Sequence, residues 1–129
     1  MNKLFCFVLL IFSLSCRDIN TSKKNAILSI TEKSFDFGEI KLNNKLNHTF
    51  RLKNVSNNDL IISNIGTSCS CTQVGKTKEI IKSGDSAEIN IEFIPKLSQV
   101  GTVVKNTIVV EANTEPPFTV FYLKGKVVK

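Results

Sequence analysis

Cys69 and Cys71 stand two positions apart within Gly66-Thr67-Ser68-Cys69-Ser70-Cys71-Thr72. Cys6 and Cys16 lie in the N-terminal leader, so this pair supplies the thiols of the folded part of the chain. Side chains two apart on a β-strand share a face, which would set the two sulfurs side by side with Ser68, Ser70 and Thr72 on the other. Three chemistries are open to such a pair. Free cysteines pack as small hydrophobes and are among the most buried residue types, and packing is the first expectation. A disulfide between Cys69 and Cys71 is the second. In an extended strand their Cα atoms would lie about 6.5 to 7 Å apart, at the upper limit for a bridge, so a bond requires a turn or bulge there. Such a link would be strained and readily reduced. Metal binding by Cys69 and Cys71 is third: two thiolates on one face suit Cu(I) or Zn(II), yet a closed zinc site takes four ligands. His48, the one histidine, becomes a third ligand only if its strand runs beside the cysteines. Its alternation with Leu46 and Phe50 points instead to a hydrogen-bonded residue in the core or at its rim. No metal centre and no cofactor is expected.

Other motifs with chemical precedent lack their partners. Asp36-Phe37-Gly38 spells the magnesium-binding triplet of protein kinases, but the sequence holds neither the Gly-rich phosphate loop nor the His-Arg-Asp loop that this triplet works beside. Its structural reading is two core phenylalanines, Phe35 and Phe37, flanking a surface acid, with Gly38 breaking the strand. A serine hydrolase is excluded by the lack of a Gly-x-Ser-x-Gly elbow. No catalytic residue is assigned, and the expectation is a protein that is not an enzyme. The net charge of +6, from 17 Lys+Arg against 11 Asp+Glu, is spread along the chain. Arg17 with Lys23-Lys24 is the nearest approach to a cluster, so the lysines read as solvated surface and no nucleic-acid partner is expected.

The leader supplies an address. Lys3 is a positive n-region, Leu4 to Phe12 an unbroken apolar run, and Ser13-Leu14-Ser15 a small-x-small site. Nine apolar residues are too few to span a bilayer, which takes roughly 20. Leu14-Ser15-Cys16 resembles the bacterial lipobox, where cleavage before the cysteine frees it to carry diacylglycerol. The resemblance implies a signal peptide over 1–15 and lipidation at Cys16, with Ser13 standing where the motif usually has Leu. Ordinary signal-peptidase cleavage stays open as the alternative. Cleavage removes Lys3 and no acid, lowering the charge by one. The polar stretch through Asn25 cannot bury enough apolar surface to fold and reads as a flexible tether over 16–25. The Asn-x-Ser/Thr sequons at Asn20, Asn47 and Asn54 would matter only in a eukaryotic secretory pathway.

From Ala26 the pattern is strand after strand. Ala26–Thr31, Phe35–Phe37, Leu46–Lys53, Leu60–Ile65, Glu79–Lys82, Ala87–Phe93, Thr102–Ala112 and Phe118–Val128 are bounded by turn residues. The run Leu46, His48, Phe50, Leu52 and the run Ala87, Ile89, Ile91, Phe93 alternate with polar residues, as half-buried strands do. No segment holds a helical period. The expectation is therefore one all-β domain over 26–129, an Ig-like β-sandwich of about seven or eight antiparallel strands in two sheets. A domain of this size buries roughly two thirds of its unfolded surface, enough to stand without covalent staples.

Five segments in order carry a family resemblance: Asp36-Phe37-Gly38-Glu39-Ile40; His48 to Asn54 with Leu60-Ile61-Ile62; Ser68 to Thr72; Ser83-Gly84-Asp85 with Ile89 to Phe93; and Leu123 to Val127. Together they resemble the bacterial domain-of-unknown-function family 1573 over about Phe35 to Val127. The resemblance implies an Ig-like sandwich related to hydin-type and major-sperm-protein-like domains, commonly secreted or lipid-anchored, with no agreed activity. Ser70 stands where that family usually has Gly, and Ser83-Gly84 where it has Pro-Gly. The expected function is a lipid-anchored bacterial envelope protein with a non-catalytic binding or scaffolding domain, whose partners are the membrane and another envelope protein or glycan. The alternative is thiol redox or Cu/Zn handling through Cys69 and Cys71.

Overall fold

The computed structural model describes residues 24–129. The signal peptide, Cys16 and nearly all of the tether lie outside the described residues. Nine strands follow in order: β1 Leu28–Ile30, β2 Ser34–Lys41, β3 Leu46–Asn54, β4 Leu60–Thr67, β5 Thr72–Val74, β6 Ile80–Ile81, β7 Ser86–Phe93, β8 Val103–Ala112 and β9 Phe118–Val128. One sheet is ordered β1-β3-β7-β5 and the other β2-β9-β8-β4-β6. This is the expected all-β sandwich. The strand absent from the sequence reading is β5, whose three residues are too few to show alternation. Pairing is antiparallel throughout except that β2 runs parallel to β9. That exception arises because β1 and β2, joined by a short turn, enter different sheets, and β2 reaches the edge of the second sheet running with the last strand.

The core lies between the sheets and is built from alternate residues of the long strands. Phe50 on β3, Phe93 on β7 and Phe121 on β9 are all 0% exposed. The Phe50 and Phe121 rings meet across the sandwich with centroids 4.9 Å apart. Full burial of such a side chain contributes about 3 kcal/mol. Inward positions of β8 read Val104, Asn106, Ile108, Val110, Ala112, so one amide sits within an aliphatic row.

Gly38 does not end its strand. β2 continues to Lys41, with the register against β9 shifting between Asp36 and Glu39. Gly38 has φ +68°, and its N–H is accepted by Asp36 Oδ1 at 2.8 Å. The triplet thus forms a bulge that only glycine adopts at low cost. Phe35 then stacks on His48 with ring centroids 3.7 Å apart, and Phe37 tilts against Phe93 at 5.5 Å. Phe37 also packs against Gly125, where a Cβ would collide with its ring.

A second buried amide, Asn54, organises the opposite end of the domain. It is 0% exposed, and its Nδ2 donates to the carbonyls of Asn58 at 2.8 Å and Ile81 at 2.9 Å. Its Oδ1 accepts from the Ser56 N–H at 3.0 Å and the Ser56 hydroxyl at 2.6 Å. One side chain therefore holds the β3–β4 turn against β6, and the sequon at Asn54 has no free amide to modify.

Candidate functional site

The two cysteines sit in the turn between β4 and β5, not in a strand. The turn is closed by Thr72 N–H donating to the Cys69 carbonyl at 3.0 Å. Reversal of the chain brings the two Cα atoms to 5.1 Å, and the sulfurs are joined. An extended strand would have held them too far apart for that bond.

Three neighbouring elements fix the turn. Ser68 exchanges hydrogen bonds with Thr107 of β8, its N–H donating to the Thr107 carbonyl at 3.0 Å and its hydroxyl accepting the Thr107 N–H at 2.9 Å. The Cys71 carbonyl accepts from Ile94 N–H, just past β7, at 2.9 Å. The Thr67 hydroxyl reaches the carbonyls of Cys69 and Thr72 at 3.1 and 3.2 Å. With so many backbone bonds in place, the covalent link adds little rigidity. It spans a sequence separation of 2, and in the chain-entropy account so short a closure stabilises by only about 1.5 kcal/mol, roughly half of what a 15-residue loop gains.

The two sulfurs differ in their surroundings. Cys71 is 3% exposed, whereas Cys69 is half-buried at the surface of the core. Around Cys71 Sγ stand Gln99 Nε2 at 3.6 Å, Asn106 Nδ2 at 3.7 Å and Thr72 Oγ1 at 4.0 Å. Asn106, 5% exposed, also donates to Thr72 Oγ1 at 3.1 Å. Gln99 belongs to a 3-10 turn over Leu97–Gln99, and its Oε1 accepts the Lys96 N–H at 2.8 Å. Lys96 Nζ in turn donates to Ser70 Oγ at 2.6 Å, placing a cation over the turn. Cys69 Sγ accepts the Cys71 N–H at 3.1 Å.

His48 is not part of this site. Its strand and β5 lie on opposite sides of β7, and its ring is held by Phe35, by an edge-on contact to Phe50 at 4.6 Å and by Glu32, whose Oε2 is 3.1 Å from Nε2. Among the described residues no group of three or more His, Cys, Asp or Glu is placed to share a metal ion. The residues that the sequence reading did not connect with the cysteines are Gln99 and Asn106. Asn106 leaves a readable signal, as the single polar residue in the inward series of β8; Gln99 leaves none, because only the fold brings its turn to the cysteines.

Comparison with curated proteins finds no match. Among solved structures, a protein of unknown function from Porphyromonas gingivalis W83 superposes with TM-score 0.70 at 16% identity over 82% of this chain and 49% of that one. The secreted serine protease VesC from Vibrio cholerae gives 0.62 at 14% over 78% of this chain and 23% of that one. The ASH / PapD-like domain of human CEP192 gives 0.65 at 14% over 81% of this chain and 87% of that one. The chain thus spans about half the length of the first structure and about a quarter of the second, and at these identities the likeness is one of fold. The order of strands, the bulge at Gly38, the cysteine turn and the glycine beneath Phe37 all fall within residues 28–127, the stretch that matches the model for the protein family of unknown function DUF1573, and the chain belongs to that family.

Proposed function

We propose that this protein is a lipid-anchored component of a bacterial cell envelope whose Ig-like domain binds an extended segment of another envelope protein and carries out no catalysis. The observation that supports the binding part is an open sheet edge beside an apolar groove. β2 pairs with β9 only from Tyr122 onward, so among the described residues the stretch Phe118 to Phe121 has no strand on that side. Between it and β1 runs a groove of about 500 Å³ whose walls include Ile27, Leu28, Ile30, Phe118 and Val120. Ile27 and Phe118 are 61% and 55% exposed there, unusual for large apolar side chains standing together. An extended peptide added at such an edge satisfies the unpaired N–H and C=O groups, and alternate side chains enter the apolar walls. A glycan offers no ladder of amides, which favours a polypeptide.

The address rests on the leader: Lys3, the apolar run and Cys16. Two acyl chains on a cysteine hold a protein stably on a membrane where one does not. The full chain, extracted from membranes in mild detergent, is expected to retain a protein partner. Ile27→Glu together with Phe118→Glu should weaken that capture by at least about tenfold, because each carboxylate would have to be desolvated in the groove. Undiminished capture by the double variant would overturn the assignment of the groove.

A further inference from the structure

We propose that the Cys69–Cys71 disulfide is a thiol-exchange site, in which Cys69 receives an incoming thiolate and Cys71 departs into a pocket of amide donors. The proposal goes beyond binding at the groove and stands independently of it, since the cysteine turn and the β1–β9 groove share no residue.

Three observations carry it. The bond joins residues two apart in a turn already held by backbone hydrogen bonds, so holding the fold together does not account for it. Access is one-sided, with Cys69 half-buried and Cys71 3% exposed. The third is Asn106, an amide on the inward row of β8 whose Nδ2 stands 3.7 Å from Cys71 Sγ, with Gln99 Nε2 3.6 Å from the same atom. A disulfide sulfur is a weak hydrogen-bond acceptor; a thiolate is a strong one. The donors around Cys71 therefore match the reduced state better than the oxidised one, and a leaving sulfur that is stabilised as a thiolate departs faster. Lys96 Nζ, bonded to the hydroxyl of Ser70 between the two cysteines, adds positive charge to the turn.

The co-reactant is a dithiol. One of its sulfurs, as thiolate, attacks Cys69 Sγ; the Sγ–Sγ bond breaks and its electron pair goes to Cys71 Sγ. The mixed disulfide on Cys69 is then resolved when the second sulfur of the dithiol attacks the first, releasing Cys69 as a thiolate and closing the dithiol into its own disulfide. Two electrons have passed to the protein, and the two protons lost by the dithiol are taken up by Cys69 and Cys71. In the reverse direction the reduced Cys69 and Cys71 pass two electrons and two protons to the partner's disulfide, which becomes the dithiol as the Cys69–Cys71 bond re-forms.

The test uses the folded full chain in mild detergent, with dithiothreitol as the small dithiol and a Cys-x-x-Cys dithiol protein as the second arm. Reduction is followed by alkylation and mass spectrometry. Both cysteines are expected to become alkylated without denaturant, and glutathione disulfide should glutathionylate Cys69 in Cys71→Ser, releasing one glutathione, at least about tenfold faster than it does Cys71 in Cys69→Ser. Gln99→Glu keeps the acceptor for the Lys96 N–H but sets a carboxylate beside Cys71; it should slow reduction about tenfold with unchanged thermal unfolding, an effect that a purely structural link would not show. Faster reduction by the dithiol protein than by dithiothreitol at equal thiolate assigns the natural reductant to a protein; equal rates assign it to a small dithiol. A bond reducible only after unfolding, equal trapping on both cysteines, or an unchanged rate in Gln99→Glu would overturn the proposal.

Discussion

Asn54→Ala is expected to lower the stability of the folded domain by about 3 kcal/mol, through one fully buried side chain that makes no contact with either candidate site. The Asn54 amide uses both its donors and its acceptor on four bonds that join the β3–β4 turn to β6. Truncation strands the buried Ser56 N–H and deprives two carbonyls of their donor, and each unsatisfied buried group costs about 1–3 kcal/mol. Asn54 also contributes its backbone, its N–H donating to the Asp85 carbonyl at 2.9 Å and its carbonyl accepting the Gly84 N–H at 2.9 Å, so loosening it also frees the β6–β7 turn. Asn58→Ala, by contrast, removes an exposed side-chain bond to the Lys24 carbonyl and should cost less than about 1 kcal/mol. Equilibrium urea unfolding of the two variants checks the difference. A loss below about 1 kcal/mol in Asn54→Ala would show that the turn does not depend on this amide.

Cys16→Ala is expected to move most of the protein from the membrane fraction to a soluble or unprocessed pool. The substitution removes the thiol that would carry diacylglycerol and leaves the domain from Ala26 onward untouched. Among the described residues no helix is long and apolar enough to cross a membrane. Fractionation, with the mature N-terminus read by mass spectrometry, decides the matter. Unchanged membrane association with an unlipidated N-terminus would reject the anchor. The same experiment bears on the cysteine turn, because an envelope compartment is where a Cys69–Cys71 bond can persist.

Much of the fold was legible because the long strands alternate. Leu46 to Lys53 and Ala87 to Phe93 declare their inward faces residue by residue, and the structure pairs those two segments, Leu46 opposite Phe93 and Leu52 opposite Ala87. Pairings set by distant parts of the chain were not legible: nothing local says that β2 joins β9 in parallel, or that Gly38 makes a bulge and not a strand end. The site divides in the same way. Cys69-Ser70-Cys71 stands out in the sequence, but whether its sulfurs meet depends on a turn fixed by Thr107 and Ile94, which lie 23 residues or more away along the chain. Asn106 could have been singled out as a polar break in an aliphatic row. Gln99 and Lys96, on a 3-10 turn with no buried residue, could not. The groove was equally hidden, since it exists only because β2 leaves the first residues of β9 uncovered.

Photo-crosslinking from position 118 tests the central claim most directly. A photoreactive residue replacing Phe118 in the full chain, irradiated in intact cells, should give a discrete adduct with a different envelope protein. The same residue replacing Lys53, on the outer face of β3, should not. No adduct from position 118, an adduct made only of two copies of this chain, or equal labelling from both positions would contradict the account.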